Sequence, residues 1–357
     1  MRWEFSAEQA DFRSVLADWL GQNCDPETLR GWLDHGDHGA FERRFVGDGW
    51  AGVGSAEDLG GEGGGLVELA LASEELGRRA APASAWLGSV LALPALTAMP
   101  EAAKALLADG VTTVLAVSAS TVPGGATGVV ERDGRLVGAV PMVLAASRAR
   151  RLVVAVGAEL QLVEVDQPGV RIRERALTDR SRSVADVELD GALGASIAAA
   201  EVAAALESAA LRSAVLVAAD SLGAMEHMLD ATVEYVRQRK QFGVPIGSFQ
   251  AVKHAAADML VKVEAGRSIV YLAAASVGSG HPDAPLHAAA AKAQVCAAAS
   301  AAADSALTLH GAIGYTWEHD LQIYFKRAKL DAALFGTPDE WNERLADRLA
   351  LVATPAV

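Results

Sequence analysis

The sequence is poor in cysteine and in basic residues, and each shortage excludes a class of protein. Cys24 and Cys296 are its only cysteines and lie far apart, so neither a disulfide framework nor a cysteine-based zinc site is supported. Lys and Arg number 31 against 45 Asp and Glu, which gives a net charge of −14. A protein that binds nucleic acid needs a basic surface to contact the negatively charged phosphates. We therefore predict neither a metal centre nor a nucleic-acid partner.

Long uninterrupted apolar runs are missing as well. The first residues, MRWEFSAEQADF, carry charges where a signal peptide would have an apolar segment. We find no stretch of about 18 residues that is free of charged and turn-forming residues and also has the composition of a membrane span. We expect a soluble, cytoplasmic chain without a membrane partner.

Apolar residues, in contrast, make up 51% of the 357 residues, and most are Ala, Leu and Val. This content supports a large core and excludes intrinsic disorder, and the length allows two or three domains. The texture of the sequence changes twice. It predicts an α+β fold with an N-terminal helical domain (1–110), a middle antiparallel β domain (111–192) and a C-terminal four-helix bundle (193–357).

The middle region contains short, valine-rich segments that begin roughly ten residues apart. RLVGAVPMVL, RLVVAV, ELQLVEVD, VRIRER and SVADVELD are separated by Gly, Pro and Asp. This spacing is typical of antiparallel strands in a small barrel or sandwich.

The last region has a helical pattern that is interrupted only at its connections. Residues 198–238 contain no proline and a single glycine, Gly223. Further helices are expected at about 250–277, 284–309 and 319–334. Long helices with short connections predict a bundle.

Two stretches of this region contain residues suited to a phosphorylated ligand. In YVRQRKQFGVPIGSFQ (235–250), Arg239 can form bidentate contacts with phosphate, and a helix that starts at Gln250 offers free N–H groups. The same cations are equally suited to a solvated helix end, where they complement the helix dipole. In LHGAIGYTWEHD, Gly311 and Gly314 permit close approach of a ligand to the backbone.

Together, and in this order, the two stretches resemble the acyl-CoA dehydrogenase family. The matching residues are Arg239, Phe242, Gly243 and Gln250 in the first stretch and Gly311, Gly314, Tyr315 and Glu318 in the second. The N-terminal GWAGVGSAEDLGGEGGG is also similar to the family, so the resemblance covers nearly the whole chain. Thr308 and Ala312 depart from the family's usual Gln and Gly.

The resemblance implies the FAD-dependent removal of two hydrogens across the α,β bond of an acyl-CoA. It also implies that FAD is shared across a subunit interface. The residues implied to contact a neighbouring chain's FAD are Arg239, Phe242, Gln250, Gly311 and Gly314. Besides acyl-CoA, the implied partners are a homologous subunit in a dimer or tetramer and an electron-transfer flavoprotein.

The glutamate that abstracts the α proton in this family is missing from both positions where members place it. Counted without gaps from Gly311, the usual position, directly before a Gly-Thr pair, is Phe335. The alternative position, 26 residues before Arg239, is Ser213. Neither side chain serves as the carboxylate base that must reach the activated C–H beside the flavin. The middle region also has VSASTVPGGATG in place of the polar turn that usually cradles the flavin ring.

Three hypotheses follow. The chain is an accessory subunit of a heteromeric acyl-CoA dehydrogenase, whose partner holds the glutamate, the flavin ring and the acyl-CoA. Alternatively, it is a self-sufficient flavoenzyme with a displaced base, for which Asp331, one helical turn before Phe335, is the candidate, with Asp339 and Glu340 just beyond. The third hypothesis is a protein with the family fold and no dehydrogenase activity. The sequence identifies neither the acyl group nor the electron acceptor.

Overall fold

The N-terminal region is helical, as the sequence predicts. The computed structural model describes residues 4–107, 110–125, 127–197 and 201–349. The N-terminal helices are α1 (Ala7–Asn23), α2 (Pro26–His35), α3 (His38–Gly47), α4 (Leu66–Arg78), α5 (Ser84–Leu96) and α6 (Pro100–Leu107).

The start of α1 shows how local sequence fixes a helix end. The Ser6 hydroxyl accepts a hydrogen bond from the Gln9 backbone, and the Gln9 side chain accepts one from the Ser6 backbone, which is a capping box. Leu16 and Leu20 on this helix are buried, whereas Val15 is 58% exposed. The first turn of α1 is therefore determined locally, but the face that it buries is set by its neighbours.

The middle region forms two sheets from its described residues. One has the strand order β1-β4-β5-β8 and the other β2-β3-β7-β6. The strands are β1 (Thr113–Leu115), β2 (Val130–Arg132), β3 (Arg135–Leu144), β4 (Arg151–Val156), β5 (Glu159–Glu164), β6 (Val170–Arg175), β7 (Val184–Ala192) and β8 (Ala195–Ser196). The pairing is antiparallel except between β1 and β4, which are parallel. The prediction of a wholly antiparallel middle domain is therefore wrong for this pair of strands. Strand β1 follows a helix and is not joined to β4 by a hairpin, so the pair is not constrained to be antiparallel.

The C-terminal region contains long helices close to the predicted bounds. They are α7 (Val202–Gln238), α8 (Gln250–Gly278), α9 (Ala284–His310), α10 (Leu321–Ala333) and α11 (Pro338–Arg348). A short hairpin of β9 (Lys240–Gln241) and β10 (Val244–Pro245) connects α7 to α8. Helices α7, α8, α9 and α10 pack on one another as the predicted bundle.

Helix α7 is long and apolar enough to cross a membrane by length and composition alone, which corrects the expectation that no stretch has that character. A core helix of a soluble protein passes the same criterion. More than half of the apolar segment of α7 is buried, and the helix packs against α4, α8 and α9. Its apolar composition is therefore accounted for by packing.

Helices α4 and α7 touch at two glycines. A Cβ on Gly223 would lie 1.8 Å from the Glu74 carbonyl oxygen, and a Cβ on Gly77 would lie 2.1 Å from the Asp220 carbonyl oxygen. Neither position tolerates a side chain, so the two backbones approach more closely than alanines would allow. This contact fixes the N-terminal helices onto the bundle.

Candidate functional site

The structure gives different environments to the two places that the motifs single out. The first is the break between α10 and α11, residues 334–337, where the resemblance places the base. The second is the open end of the bundle, which we define as residues 239–250 together with 311–317.

Phe335 is held in the break by hydrogen bonds on both sides. Its side chain is 1% exposed, and its φ of 55° is unusual for an aromatic residue. The Phe335 N–H donates to the Ala119 carbonyl at 2.7 Å, and the Trp341 indole N–H donates to the Phe335 carbonyl at 2.9 Å. The break is therefore anchored to the middle region and to α11.

Lys292 and Gly336 complete the break. The fully buried Lys292 ammonium donates to the carbonyls of Asp331 and Gly336, both at 2.9 Å. Gly336 has a φ of 100°, and a Cβ there would lie 2.4 Å from the Val122 side chain. The sequence analysis did not identify Lys292, although a lysine inside the alanine-rich pattern of α9 was a visible signal.

Asp331 lies in a buried charge cluster. Arg327 binds the Asp220 carboxylate through two hydrogen bonds, at 2.7 and 2.6 Å. Arg182 lies 3.0 Å from Asp220 and 3.2 Å from one Asp331 oxygen, and the Ser221 hydroxyl lies 3.5 Å from the other. Both oxygens of Asp331 thus face protein groups, and its side chain is wholly buried.

The two carboxyl groups of this cluster differ in their affinity for protons. Burial and the neighbouring Asp220 carboxylate raise the pKa of Asp331. Burial also acts to raise the pKa of Asp220, but Arg182 and Arg327 outweigh it and hold that pKa below its ordinary value. The cluster joins α7, α10 and the turn before β7, and the sequence analysis did not identify its arginines.

The alternative position for the base is equally enclosed. Ser213 is fully buried inside α7, and its hydroxyl donates to the Ala210 carbonyl of the same helix at 2.9 Å. Thr337 is the N-cap of α11, and Asp339 and Glu340 are exposed in its first turn. The Glu340 carboxylate accepts hydrogen bonds from the Thr337 backbone and hydroxyl. The Glu340 carboxylate therefore serves as a helix cap.

The open end has the opposite character. Arg239, Phe242 and Gln250 are exposed, and the Phe242 side chain is 92% exposed at the tip of the β9–β10 hairpin. Phe242 and Gly243 have φ values of 53° and 83°, which is the backbone of a two-residue hairpin turn. Arg239 forms no ion pair with any described residue. The hairpin thus presents an aromatic ring and a free cation to solvent.

The helix that begins at Gln250 adds hydrogen-bond donors to the open end. The residue before it, Phe249, provides no side-chain cap, so the first N–H groups of α8 lack a side-chain acceptor among the described residues. Free N–H groups at a helix start attract anions.

The end of α9 lies next to the end of α7, which brings the two motifs together. The rings of Tyr235 and His310 stack with centroids 4.4 Å apart, and the Tyr235 hydroxyl donates to the His310 carbonyl. Gly311 follows directly, exposed and with a φ of 66°. Gly314 is buried, and a Cβ there would lie 3.1 Å from the His310 side chain. Four of the five residues implied to contact FAD are therefore at the surface, whereas close packing explains the glycine at Gly314.

Comparison with known proteins agrees with these motifs. The model of the acyl-CoA dehydrogenase N-terminal domain matches residues 6–108, and that of the C-terminal domain matches residues 203–350. The chain is 33% identical over 344 residues to acyl-CoA dehydrogenase IpdE2 of Mycobacterium tuberculosis, across 95% of this chain and 96% of that relative. The chain belongs to the acyl-CoA dehydrogenase family.

Solved structures of family members have the same fold over the full length. The match to a chain of the ChsE4-ChsE5 complex from Mycobacterium tuberculosis has a TM-score of 0.88 and 26% identity, and it covers 99% of this chain and all of the other. A Tcur3481-Tcur3483 steroid ACAD variant matches with a TM-score of 0.85 and 26% identity, over 95% of this chain and 97% of that chain. Both structures contain two differently named proteins.

Proposed function

We propose that this chain is an accessory subunit of a heteromeric, FAD-dependent acyl-CoA dehydrogenase. In this assembly it covers the FAD of a homologous partner chain, and the partner supplies the glutamate and holds the acyl-CoA. The family itself removes two hydrogens across the α,β bond of an acyl-CoA thioester. The proposal concerns how that work is divided between two chains.

The observation that carries this proposal is that the break, residues 334–337, contains no carboxylate. The exposed Asp339 lies beyond it, in the first turn of α11. Phe335 occupies the position where the resemblance places the base, and it is 1% exposed. Asp331 is buried in the charge cluster, and the Glu340 carboxylate caps α11. A general base must come within hydrogen-bond reach of the proton that it removes. Neither Asp331 nor Glu340 is free to do so.

The open end fits the pyrophosphate and adenosine part of FAD. Arg239 offers a bidentate donor to phosphate, and the first turn of α8 offers backbone N–H groups. Phe242 offers an exposed ring for stacking, and Gly311 leaves space for a ligand beside the backbone. When bound, FAD would supply the hydride acceptor. The chain's own residues would orient the cofactor and neutralise its phosphates.

The relatives support a heteromeric partner and suggest a class of acyl group. Two similar structures contain two protein chains of different name, and one of them is described as a steroid ACAD. We propose a steroid-derived acyl-CoA as the substrate of the assembly. An electron-transfer flavoprotein is the proposed electron acceptor.

The test is to purify the chain alone and together with a co-expressed homologous partner. Visible absorbance reports bound flavin, and addition of acyl-CoA without oxygen reports flavin reduction. We expect flavin bleaching only in the co-purified complex. Bleaching by the lone chain would overturn the accessory role, and a complex without flavin would favour a protein with no dehydrogenase activity.

The displaced-base alternative receives a direct test from the same assay. If the lone chain is active, Asp331→Asn should abolish flavin reduction under that alternative. Unchanged reduction by the variant would remove Asp331 as a base. The burial of Asp331 between Arg182 and Ser221 argues against a catalytic role.

A further inference from the structure

Residues 311–320, which connect α9 to α10, include one part of the open end and have little regular structure of their own. They contain one short 3-10 helix, Gly311–Tyr315. Tyr315 is 67% exposed and Trp317 is 66% exposed. Ordering a loosely held segment opposes ligand binding, so such a segment binds well only if the rest of the chain already holds its shape. Contacts that hold residues 311–320 therefore affect their affinity for a ligand.

Arg30 of α2 binds the end of this connection. Its Nε–H donates to the Asp320 carboxylate at 2.6 Å, and its Nη2–H donates to the Glu318 carbonyl at 3.0 Å. The ion pair joins positions 290 residues apart in the sequence, so no local pattern predicts it. Because the guanidinium is planar and rigid, its two contacts fix the backbone of the connection as well as a side chain.

A second contact joins α2 to the middle region at the same place. Asp34 lies one helical turn after Arg30 and accepts a hydrogen bond from the Arg180 guanidinium at 3.1 Å. The Arg180 guanidinium lies 5.3 Å from the centre of the Trp317 ring, and the Lys326 ammonium of α10 lies 3.8 Å from the same centre. Both distances are typical of cation–π contacts. The N-terminal helices, the middle region and the bundle thus meet around Trp317.

The ion pairs at this meeting point are exposed. The side chains of Arg30 and Asp320 are 45% and 27% exposed, and those of Arg180 and Asp34 are 41% and 63% exposed. Ion pairs between exposed side chains contribute little to the unfolding free energy. They can still change the populations of a short segment's alternative shapes, and apparent ligand affinity falls in proportion to the population of the binding shape.

We propose that Arg30 is a positioning residue for FAD binding, which holds residues 311–320 in the shape that contacts the cofactor. Arg30 acts through the Glu318 carbonyl and the Asp320 carboxylate. The inference rests on the proposed contact between the open end and FAD. It gives the N-terminal helices a part in binding the cofactor, although the motifs that resemble the family's FAD contacts lie in the C-terminal region.

Flavin titration of the co-purified complex tests this role. Arg30→Gln should weaken FAD binding by about 5-fold, because residues 311–320 are then free to adopt other shapes. The midpoint of thermal unfolding should stay within about 2 °C of the native value, since the ion pair is exposed. Arg43→Gln is the matched control on the neighbouring α3. Arg43 is 73% exposed and lies 3.9 Å from Asp37, the N-cap of its own helix, so FAD affinity should be unchanged.

Two further variants separate positioning from a general loss of structure. Arg30→Lys keeps a charge near Asp320 and should bind FAD within about 2-fold of the native affinity. The effects of Arg30→Gln and Asp320→Asn should not add in the double variant, because both remove the same ion pair.

The outcomes distinguish this inference from the proposed function. If Arg239→Ala weakens FAD binding but Arg30→Gln changes it by less than about 2-fold, the positioning role is overturned. Additive effects of Arg30→Gln and Asp320→Asn would also overturn it, as would a large fall in the unfolding temperature of Arg30→Gln. If neither Arg239→Ala nor Arg30→Gln alters FAD affinity, the proposed contact between the open end and FAD fails, and the positioning role fails with it.

Discussion

The break and the open end come from the same family motifs, yet they have opposite physical characters. At the break, the side chain of Phe335 is enclosed, and the carbonyl of Gly336 is bound by a buried lysine. At the open end, Phe242 is almost fully exposed. The break is filled by side chains of this chain and leaves no room for a substrate. At the open end, burial of the exposed aromatic ring by a ligand or a partner chain would be favourable, and the neighbouring arginine is available to pair with a negative charge.

The role of a motif residue therefore depends on its surroundings as well as on its position in the sequence. Phe335 and Arg239 are equally distinct in the sequence. Only the structure assigns the first to the interior and the second to the surface. Substitutions at the two places should therefore differ in their effects on stability and on flavin binding.

Loss of a charge should lower the unfolding free energy more in the buried charge cluster around Asp331 than at the open end. Arg327→Leu leaves the buried Asp220 without its two-hydrogen-bond partner. We expect the free energy of unfolding to fall by about 3–5 kcal/mol, as is usual when one member of a buried ion pair is removed. Urea unfolding measures the change. A loss below about 1 kcal/mol would show that Arg182 alone compensates Asp220.

Phe335→Glu tests whether the break is a usable site. A carboxyl group would replace an apolar ring that is 1% exposed, at a cost of about 3 kcal/mol in unfolding free energy. Thermal unfolding measures this cost, and Phe335→Leu is the control with the smaller expected loss.

The same Phe335→Glu variant should not reduce flavin in the lone chain. If acyl-CoA did bleach its flavin, then cofactor and substrate would bind beside Phe335 in this chain. The contrast between the enclosed break and the open end would then lose its functional meaning.

Arg239→Ala tests the open end. Because Arg239 is exposed and forms no ion pair with described residues, the unfolding free energy should change by less than about 0.5 kcal/mol. The affinity of the co-purified complex for FAD should fall by about 10-fold, the effect of one charge-assisted contact. Flavin titration measures it. Arg132→Ala removes another exposed arginine and should leave FAD affinity unchanged.

Asp331→Asn should have its smallest effect at pH 5, where the native carboxyl group is protonated and, like asparagine, uncharged, and a larger effect as the pH rises. The pKa of Asp331 is raised from 3.8 in the folded chain, so the folded state binds more protons than the unfolded state above pH 4. The native chain therefore loses stability as pH rises, and asparagine does not titrate. Relative to the native chain, the unfolding free energy of the variant should rise by roughly 3 kcal/mol between pH 5 and pH 8, at about 1.4 kcal/mol for each pH unit over which the folded carboxyl keeps a proton that the unfolded one has lost. Unfolding at both pH values checks the sign, and a parallel pH dependence would contradict it.

Much of the fold was predictable from local pattern. The capping box at Ser6 and Gln9 and the start of α8 at Gln250 both depend on residues close in sequence, and the helix start at Gln250 was predicted. The parallel pairing of β1 with β4 was not predicted, because it joins segments nearly 40 residues apart. The short strands β2 and β8 were also missed, since two or three residues carry too little alternation to identify a strand.

The order of helices and strands, the resemblance of the two C-terminal motifs and the identity of Phe335 can be read from the sequence alone. These follow from residue spacing, which needs no knowledge of distant contacts. The structure was needed to place Asp331 between Arg182 and Ser221 and to show that Lys292 binds the carbonyls of the break. The partners of a buried charge come from distant segments. Their pairing is fixed by the need to satisfy that charge away from water, once the chain has folded.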